Sequence, residues 1–188
     1  PDLVALTGDF IGHNPQNHHR CMSMLSDLHA PDGLWATRGN HDHRVSLRKF
    51  RRECREAHIR LIENRHVVLR PARHRTTNED NHPGATQLVL AGVGDLWEGH
   101  AAPGEALENA DSSLPTILLS HNPHAAELLV DGQRVDLVLS GHARRAVAND
   151  RLQGNEGRLV PVFPGRIDQL HELLRVVAKP MTLAGLEV

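Results

Sequence analysis

Four short apolar runs in this sequence stop abruptly at polar, turn-forming clusters, and no other feature restricts the fold as much. Leu3-Val4-Ala5-Leu6-Thr7 ends at Gly8-Asp9, and Leu34-Trp35-Ala36-Thr37 ends at Arg38-Gly39-Asn40-His41-Asp42. Thr116-Ile117-Leu118-Leu119 is followed by Ser120-His121-Asn122-Pro123, and the run from Asp136 to Ser140 gives way to Gly141-His142. An apolar run of this length without alternation suits a strand covered on both faces. Helix-like spacing fills the intervals. Residues 17–29 place Met22, Leu25 and Leu28 on one side, and residues 44–58 carry a stripe of Val45, Leu47, Phe50, Cys54 and Ala57. Strands are also predicted from His66 to Leu69 and from Gln87 to Val93, separated by a polar loop with Pro71 and Pro83. A short helix is predicted from His124 to Val130, after Pro123. Strands alternating with helices predict an α/β class with helices covering the sheets.

The 188 residues suffice for one domain with a real core. A formal net charge of −2 gives no electrostatic argument for a nucleic-acid partner. Cys21 and Cys54 fit no zinc-knuckle or Cys-x-x-Cys spacing. No apolar run approaches the length that spans a bilayer, and the chain opens at Pro1 directly in a strand-like run. The expectation is therefore a fragment that begins inside a domain, cytoplasmic or peripheral at a membrane.

The polar clusters all follow strands, and strand ends in an α/β sheet lie along the edge where ligands bind. Asp9, Asn40, His121 and His142 are thus expected to meet at one place. The glycines beside them allow the sharp turns that aim side chains from different strands at a shared centre. A carboxylate oxygen, an amide oxygen and two imidazole nitrogens suit Mn, Fe or Zn. Taken singly, Gly-Asp is commonly just a turn, and a histidine at a strand end is commonly a hydrogen-bonded structural residue. Gly-Asn-His-Asp asks for more, because a turn needs the Gly and Asn but not the His and Asp that follow.

"LVALTGDF", "LWATRGNHDH", "ILLSHNPH" and "DLVLSGH" resemble the consecutive blocks of the calcineurin-like metallophosphoesterases. The likeness covers residues 2–142 and is greatest to the bacterial branch that includes UDP-diacylglucosamine hydrolases, which "LAGVGDLWEG" at residues 90–99 also resembles. The resemblance implies a two-sheet sandwich flanked by helices, here without its first strand, and two divalent metals at the strand ends. It makes Asp9 the bridging ligand and gives Asn40, His121 and His142 to the second metal. It sets His41 against the substrate phosphate with Asp42 as its orienting partner. The implied reaction is hydrolysis of a phosphodiester or nucleotide-linked pyrophosphate by a metal-bound hydroxide, the two cations standing roughly 3.5–4 Å apart. An imidazole near the phosphate can protonate the leaving oxygen close to neutral pH. The implied substrates are small phosphoesters or lipid-linked nucleotides.

The sequence also departs from the family pattern. The family's Asp-x-His block precedes Gly-Asp, and here Pro1 stands in front of it. "SDLH" at residues 26–29 has the right letters in the wrong place, so Asp27 and His29 are read as polar positions near a helix end. Gly141-His142-Ala143-Arg144 replaces Gly-His-x-His, leaving Asp9 alone for the first metal. A two-base deletion in the Thr codon of Gly-His-Thr-His-Gly-Gly-Gln yields Ala-Arg-Arg-Ala, as residues 143–146 read. Residues 143–188 are therefore either frameshifted or a diverged tail, set apart from a partial domain at 1–142, with an amphipathic helix predicted from Ile167 to Val177. The alternative to an enzyme is an impaired chain that keeps the fold and at most one metal.

The remaining candidates have plainer explanations beside them. His18-His19 and the histidines around His74 and His82 read as surface residues. The basic run Arg48, Lys49, Arg51, Arg52 and Arg55 offers contact to an anionic substrate or membrane surface, but interspersed Glu53 and Glu56 suit a solvated helix face. Trp97 and Glu98 either border the site or, for Trp97, pack in the core. Asp95 is a further metal or substrate candidate.

Overall fold

The computed structural model describes residues 1–12, 18–70, 87–142, 158–161 and 176–179. The elements run β1 (Leu3–Leu6), α1 (His18–Leu25), β2 (Leu34–Ala36), a 3-10 turn (Asn40–Arg44), α2 (Leu47–Glu56), β3 (Ile59–Leu61), β4 (Arg65–Leu69) and β5 (Leu88–Gly92). There follow α3 (Pro103–Ala106), β6 (Thr116–Ser120), a second 3-10 turn (Pro123–Leu128), β7 (Leu137–Ser140), β8 (Arg158–Pro161) and β9 (Val176–Lys179).

Two sheets result. The first has the order β3-β2-β1-β9 and is parallel throughout; the second has the order β4-β5-β6-β7-β8, parallel in its centre with antiparallel edges. Strand alternation explains how they stack. Leu3 and Ala5 of β1 share one apolar cluster with Leu88, Leu90, Ile117, Leu119, Leu137 and Leu139 of the other sheet. Val4 and Leu6 point the opposite way, onto Cys21, Met22 and Leu25 of α1 and Phe50 and Cys54 of α2. Ala91, Leu118 and Val138 likewise turn outward, onto Ala106 of α3 and Ala125 of the second 3-10 turn. The layers are helix, sheet, sheet, helix, so every central strand is buried on both faces and its apolar run is continuous. This is the expected α/β sandwich flanked by helices.

Several boundaries move. The helix predicted over 17–29 is described from His18 to Leu25, and Leu28 lies beyond its end, exposed. Residues 44–58 divide at Ser46, whose hydroxyl caps α2 by accepting from the Lys49 N–H. The helix expected after Pro123 is a 3-10 turn. Within the predicted helix from Ile167 to Val177, Val176 and Val177 belong to β9, and 167–175 lie outside the described residues, as do His74 and His82. Among the described residues, no helix is long and apolar enough to cross a membrane.

Candidate metal centre

The C-terminal ends of β1, β2, β6 and β7 meet along one edge of the sandwich. Gly8 and Asp9 both have positive φ, +87° and 59°, which bends the chain sharply as it leaves β1. For a non-glycine residue that conformation is strained, and such strain clusters at functional sites. A Cβ on Gly39 would collide with the Asp9 Oδ1 and come within 2.8 Å of His121 Cε1. Only a residue without a side chain lets the β2 loop reach so close to the other two.

Three expected ligands come together. One ligand atom from each of Asp9, His121 and His142 lies within 4.8 Å of the others. His121 Nε2 is 3.3 Å from Asp9 Oδ2 and 3.1 Å from His142 Nδ1. His121 Nδ1 stands 2.8 Å from the Thr7 carbonyl, which can only accept, so Nδ1 carries a proton there. That bond fixes the ring and turns Nε2 toward the other two groups. Asn40 is held between residues that touch Asp9, since Gly39 packs on it and the His41 N–H donates to Asp9 Oδ1 at 3.1 Å. The Asn40 Oδ1 is buried without a hydrogen-bond partner. An orphaned amide oxygen in the turn whose His41 N–H holds Asp9 fits a ligand for a divalent cation.

Charge follows from these contacts. Burial pushes the Asp9 carboxyl upward, but the His121 hydrogen bond and charge and the His41 N–H outweigh it, and the net shift is downward. Burial pulls His121 down, yet the Asp9 hydrogen bond and charge raise it above its ordinary value. Burial and then the neighbouring His121 hold His142 below its ordinary value. At neutral pH the group thus offers an anionic carboxylate and an unprotonated His142.

The resemblance makes Asp42 the orienting partner of His41; in the structure both its oxygens accept from backbone donors. Oδ2 accepts from Asp9 N and Gly39 N, each at 2.8 Å, and Oδ1 accepts from Ile11 N at 3.0 Å. The fully buried side chain therefore ties the β1 and β2 loops together. Burial pushes its carboxyl up to about 7, with the three N–H bonds pulling the other way. Arg38 adds a second tie, with its Nε 2.7 Å from Glu63 Oε1.

The surroundings hold further residues. Asp95, after β5, is wholly buried with Oδ2 unpartnered, and its charge acts on both His121 and His142. Trp97 is not core packing: it is 61% exposed and stands edge-on to the His142 ring, with centroids 4.3 Å apart. Asp27 and His29 are exposed near the end of α1, as polar positions there should be. His18 reverses its expectation, being buried against Phe50 and Glu53 rather than on the surface. The stacked rings of His43 and His100, 5.2 Å apart, were not singled out in the sequence; only the folded chain brings them together.

Comparison with known proteins agrees with this geometry. Residues 1–143 match the calcineurin-like phosphoesterase family. An uncharacterised metallophosphoesterase of Aquifex aeolicus is 30% identical over 153 residues, covering 78% of this chain and 52% of its own. The phosphodiesterase YaeI of Escherichia coli is 32% identical over 146 residues, covering 76% and 48%. The UDP-2,3-diacylglucosamine pyrophosphatase LpxG of Chlamydia muridarum is 28% identical over 179 residues, covering 76% and 54%. The chain spans about half the length of these curated relatives. No solved structure gives a significant match.

Proposed function

The chain belongs to the calcineurin-like phosphoesterase family, and from that premise we propose that it is a metal-dependent hydrolase of a phosphodiester or a nucleotide-linked pyrophosphate. The observation that carries this reading is the convergence of Asp9, His121 and His142 within 4.8 Å, at the ends of strands from both sheets. Asp9, Asn40, His121 and His142 would hold a divalent cation, and Asp9 would be shared with a second. Bound cations supply Lewis acidity toward a phosphate oxygen and lower the pKa of water toward neutrality.

The chain's own residues do the rest. The Thr7 carbonyl keeps the proton of His121 on Nδ1, so that Nε2 keeps its lone pair for the site. Burial holds His142 below its ordinary value, toward the unprotonated form. The His41 N–H holds Asp9 Oδ1, which leaves Asp9 Oδ2 facing the histidines. The imidazole of His41 gives its proton to the leaving oxygen. The named activities of YaeI and LpxG support a phosphodiester or pyrophosphate substrate, the latter nucleotide-linked.

A second reading is favoured by one observation. Ala143-Arg144 stands where the family pattern has x-His, which takes a ligand from the first metal. The chain would then keep the fold and one cation without turnover. Incubation with bis(p-nitrophenyl) phosphate and Mn2+ separates the two. The hydrolase reading predicts p-nitrophenol release, and a fall of about 10²–10⁴-fold in His41→Ala on an alkyl phosphodiester, whose leaving alkoxide needs a proton, with Mn2+ binding by calorimetry retained. Mn2+ binding without release from either protein supports the second reading and ends the first.

A further inference from the structure

We propose that Trp97 is the platform on which a nucleobase of the substrate stacks, which makes the preferred substrate a phosphoester carrying a nucleoside. The proposal rests on the hydrolase reading above and deepens it.

Its ground is an exposed indole built into a rigid turn at the edge of the metal centre. Burying a tryptophan is worth more than burying any other side chain. Here its ring is left 61% exposed while it leans edge-on against His142, with centroids 4.3 Å apart. Nothing about the segment suggests a ring left exposed by slack packing. The buried Asp95 accepts from Glu98 N at 3.0 Å through Oδ1, and its carbonyl accepts from His100 N at 2.9 Å. The turn is therefore closed on both sides of Trp97. Asn64 clamps its base, donating to the His100 carbonyl at 2.8 Å and accepting from Gly94 N at 3.0 Å and Ala102 N at 3.1 Å. His100 also stacks on His43, from the turn that carries Asn40 and His41. The indole is thus fixed relative to the residues that would hold the phosphate.

The kind of ring follows from what surrounds it. Trp35, Phe10 and Phe50 are buried, so Trp97 is the one exposed Phe, Trp or Tyr side chain among the described residues. A quaternary ammonium headgroup calls for a cage of several aromatic rings. A single plane suits one flat ring, and every nucleobase has a π-face to offer it.

The test uses two substrates with the same leaving group. Thymidine 5′-(p-nitrophenyl phosphate) carries a base and ethyl p-nitrophenyl phosphate does not. The ratio of their kcat/KM values, base-bearing over ethyl, should fall about tenfold in Trp97→Leu, through KM, and recover most of that loss in Trp97→Phe. A ratio unchanged by Trp97→Leu overturns the proposal, because Trp97 then serves only to pack His142. A readout independent of turnover is the fluorescence of the unmutated protein, in which Trp35 is buried and Trp97 exposed. Thymidine 5′-monophosphate should quench it saturably and methyl phosphate should not. Saturable quenching with neither ester hydrolysed upholds the platform and removes the hydrolase reading. Absence of saturable quenching removes the platform whatever the turnover, including where Trp97→Leu fails to fold.

Discussion

Replacing Asp42 by Asn takes one acceptor oxygen away from three backbone N–H groups that sit in the interior. The incoming amide N–H₂ would face at least one of those donors. A buried donor left without an acceptor costs about 1–3 kcal/mol. Asp42→Asn should therefore lower unfolding free energy by about that amount in a urea titration and weaken Mn2+ binding, since Asp9 and Gly39 lose their common anchor. A variant as stable as the parent, but with reduced kcat, would return Asp42 to the catalytic role that the resemblance gave it. At this scale the sequence was legible where a residue's position at a strand end declared where it would lie, as for Asp9, His121 and His142, which the fold brings together. It was not legible for Asp42, because the donors that satisfy it come from residues 9, 11 and 39, which only the fold brings together. Trp97 is a similar case: an indole flanked by Leu96 and Glu98 gives no sign of which side of the surface it will occupy.

The helical layer over the first sheet carries a buried ionisable pair. His18 of α1 stacks on Phe50 of α2, with centroids 5.4 Å apart, and its Nδ1 lies 2.5 Å from Glu53 Oε2. Burial lowers the His18 pKa below its ordinary 6.5; the Glu53 charge opposes this, while Lys49 and the neighbouring His19 add to it. The sign follows. Below about pH 6.5 the unfolded chain takes up a proton that the folded chain resists, so stability falls as pH drops through that range toward the lower folded value. Urea midpoints should decline between pH 7 and pH 5, and His18→Leu should flatten that slope. A midpoint that instead rises on acidification, and loses the rise in His18→Leu, would mean that Glu53 wins and the pair is an ion pair. The strands were legible as elements because burial on both faces makes their apolar runs continuous. β3 and α3 were missed, since three or four residues cannot establish a period. Helix α1 was placed but its partner face misread: the side chain of His18 belongs with the residues Cys21, Met22 and Leu25 that α1 buries, not with the polar residues before it.

The candidate ligands divide between the two sheets of the molecule. Asp9 and Asn40 follow β1 and β2 of the first sheet, and His121 and His142 follow β6 and β7 of the second. A cation held by all four would join the layers at one edge, in addition to the apolar cluster that joins them across their faces. Unfolding separates those ligands in space, so the cation binds the folded chain far better than the unfolded one. Binding of that kind stabilises by about 2.7 kcal/mol when the free ligand stands at about 100 times its Kd. For a chain of this length each kcal/mol moves the midpoint by about 2–4 °C, which gives a rise in Tm of roughly 5–10 °C. Calorimetric melting in saturating Mn2+ should show that rise, and a chelator should abolish it. Asp9→Asn and His121→Ala, one from each sheet, should each lose most of it. A melt that does not move in saturating Mn2+ would mean that the folded chain does not bind the ion in preference to the unfolded one. If either single variant kept the full shift, the metal would be held within one sheet, and the two layers would depend on their apolar interface alone.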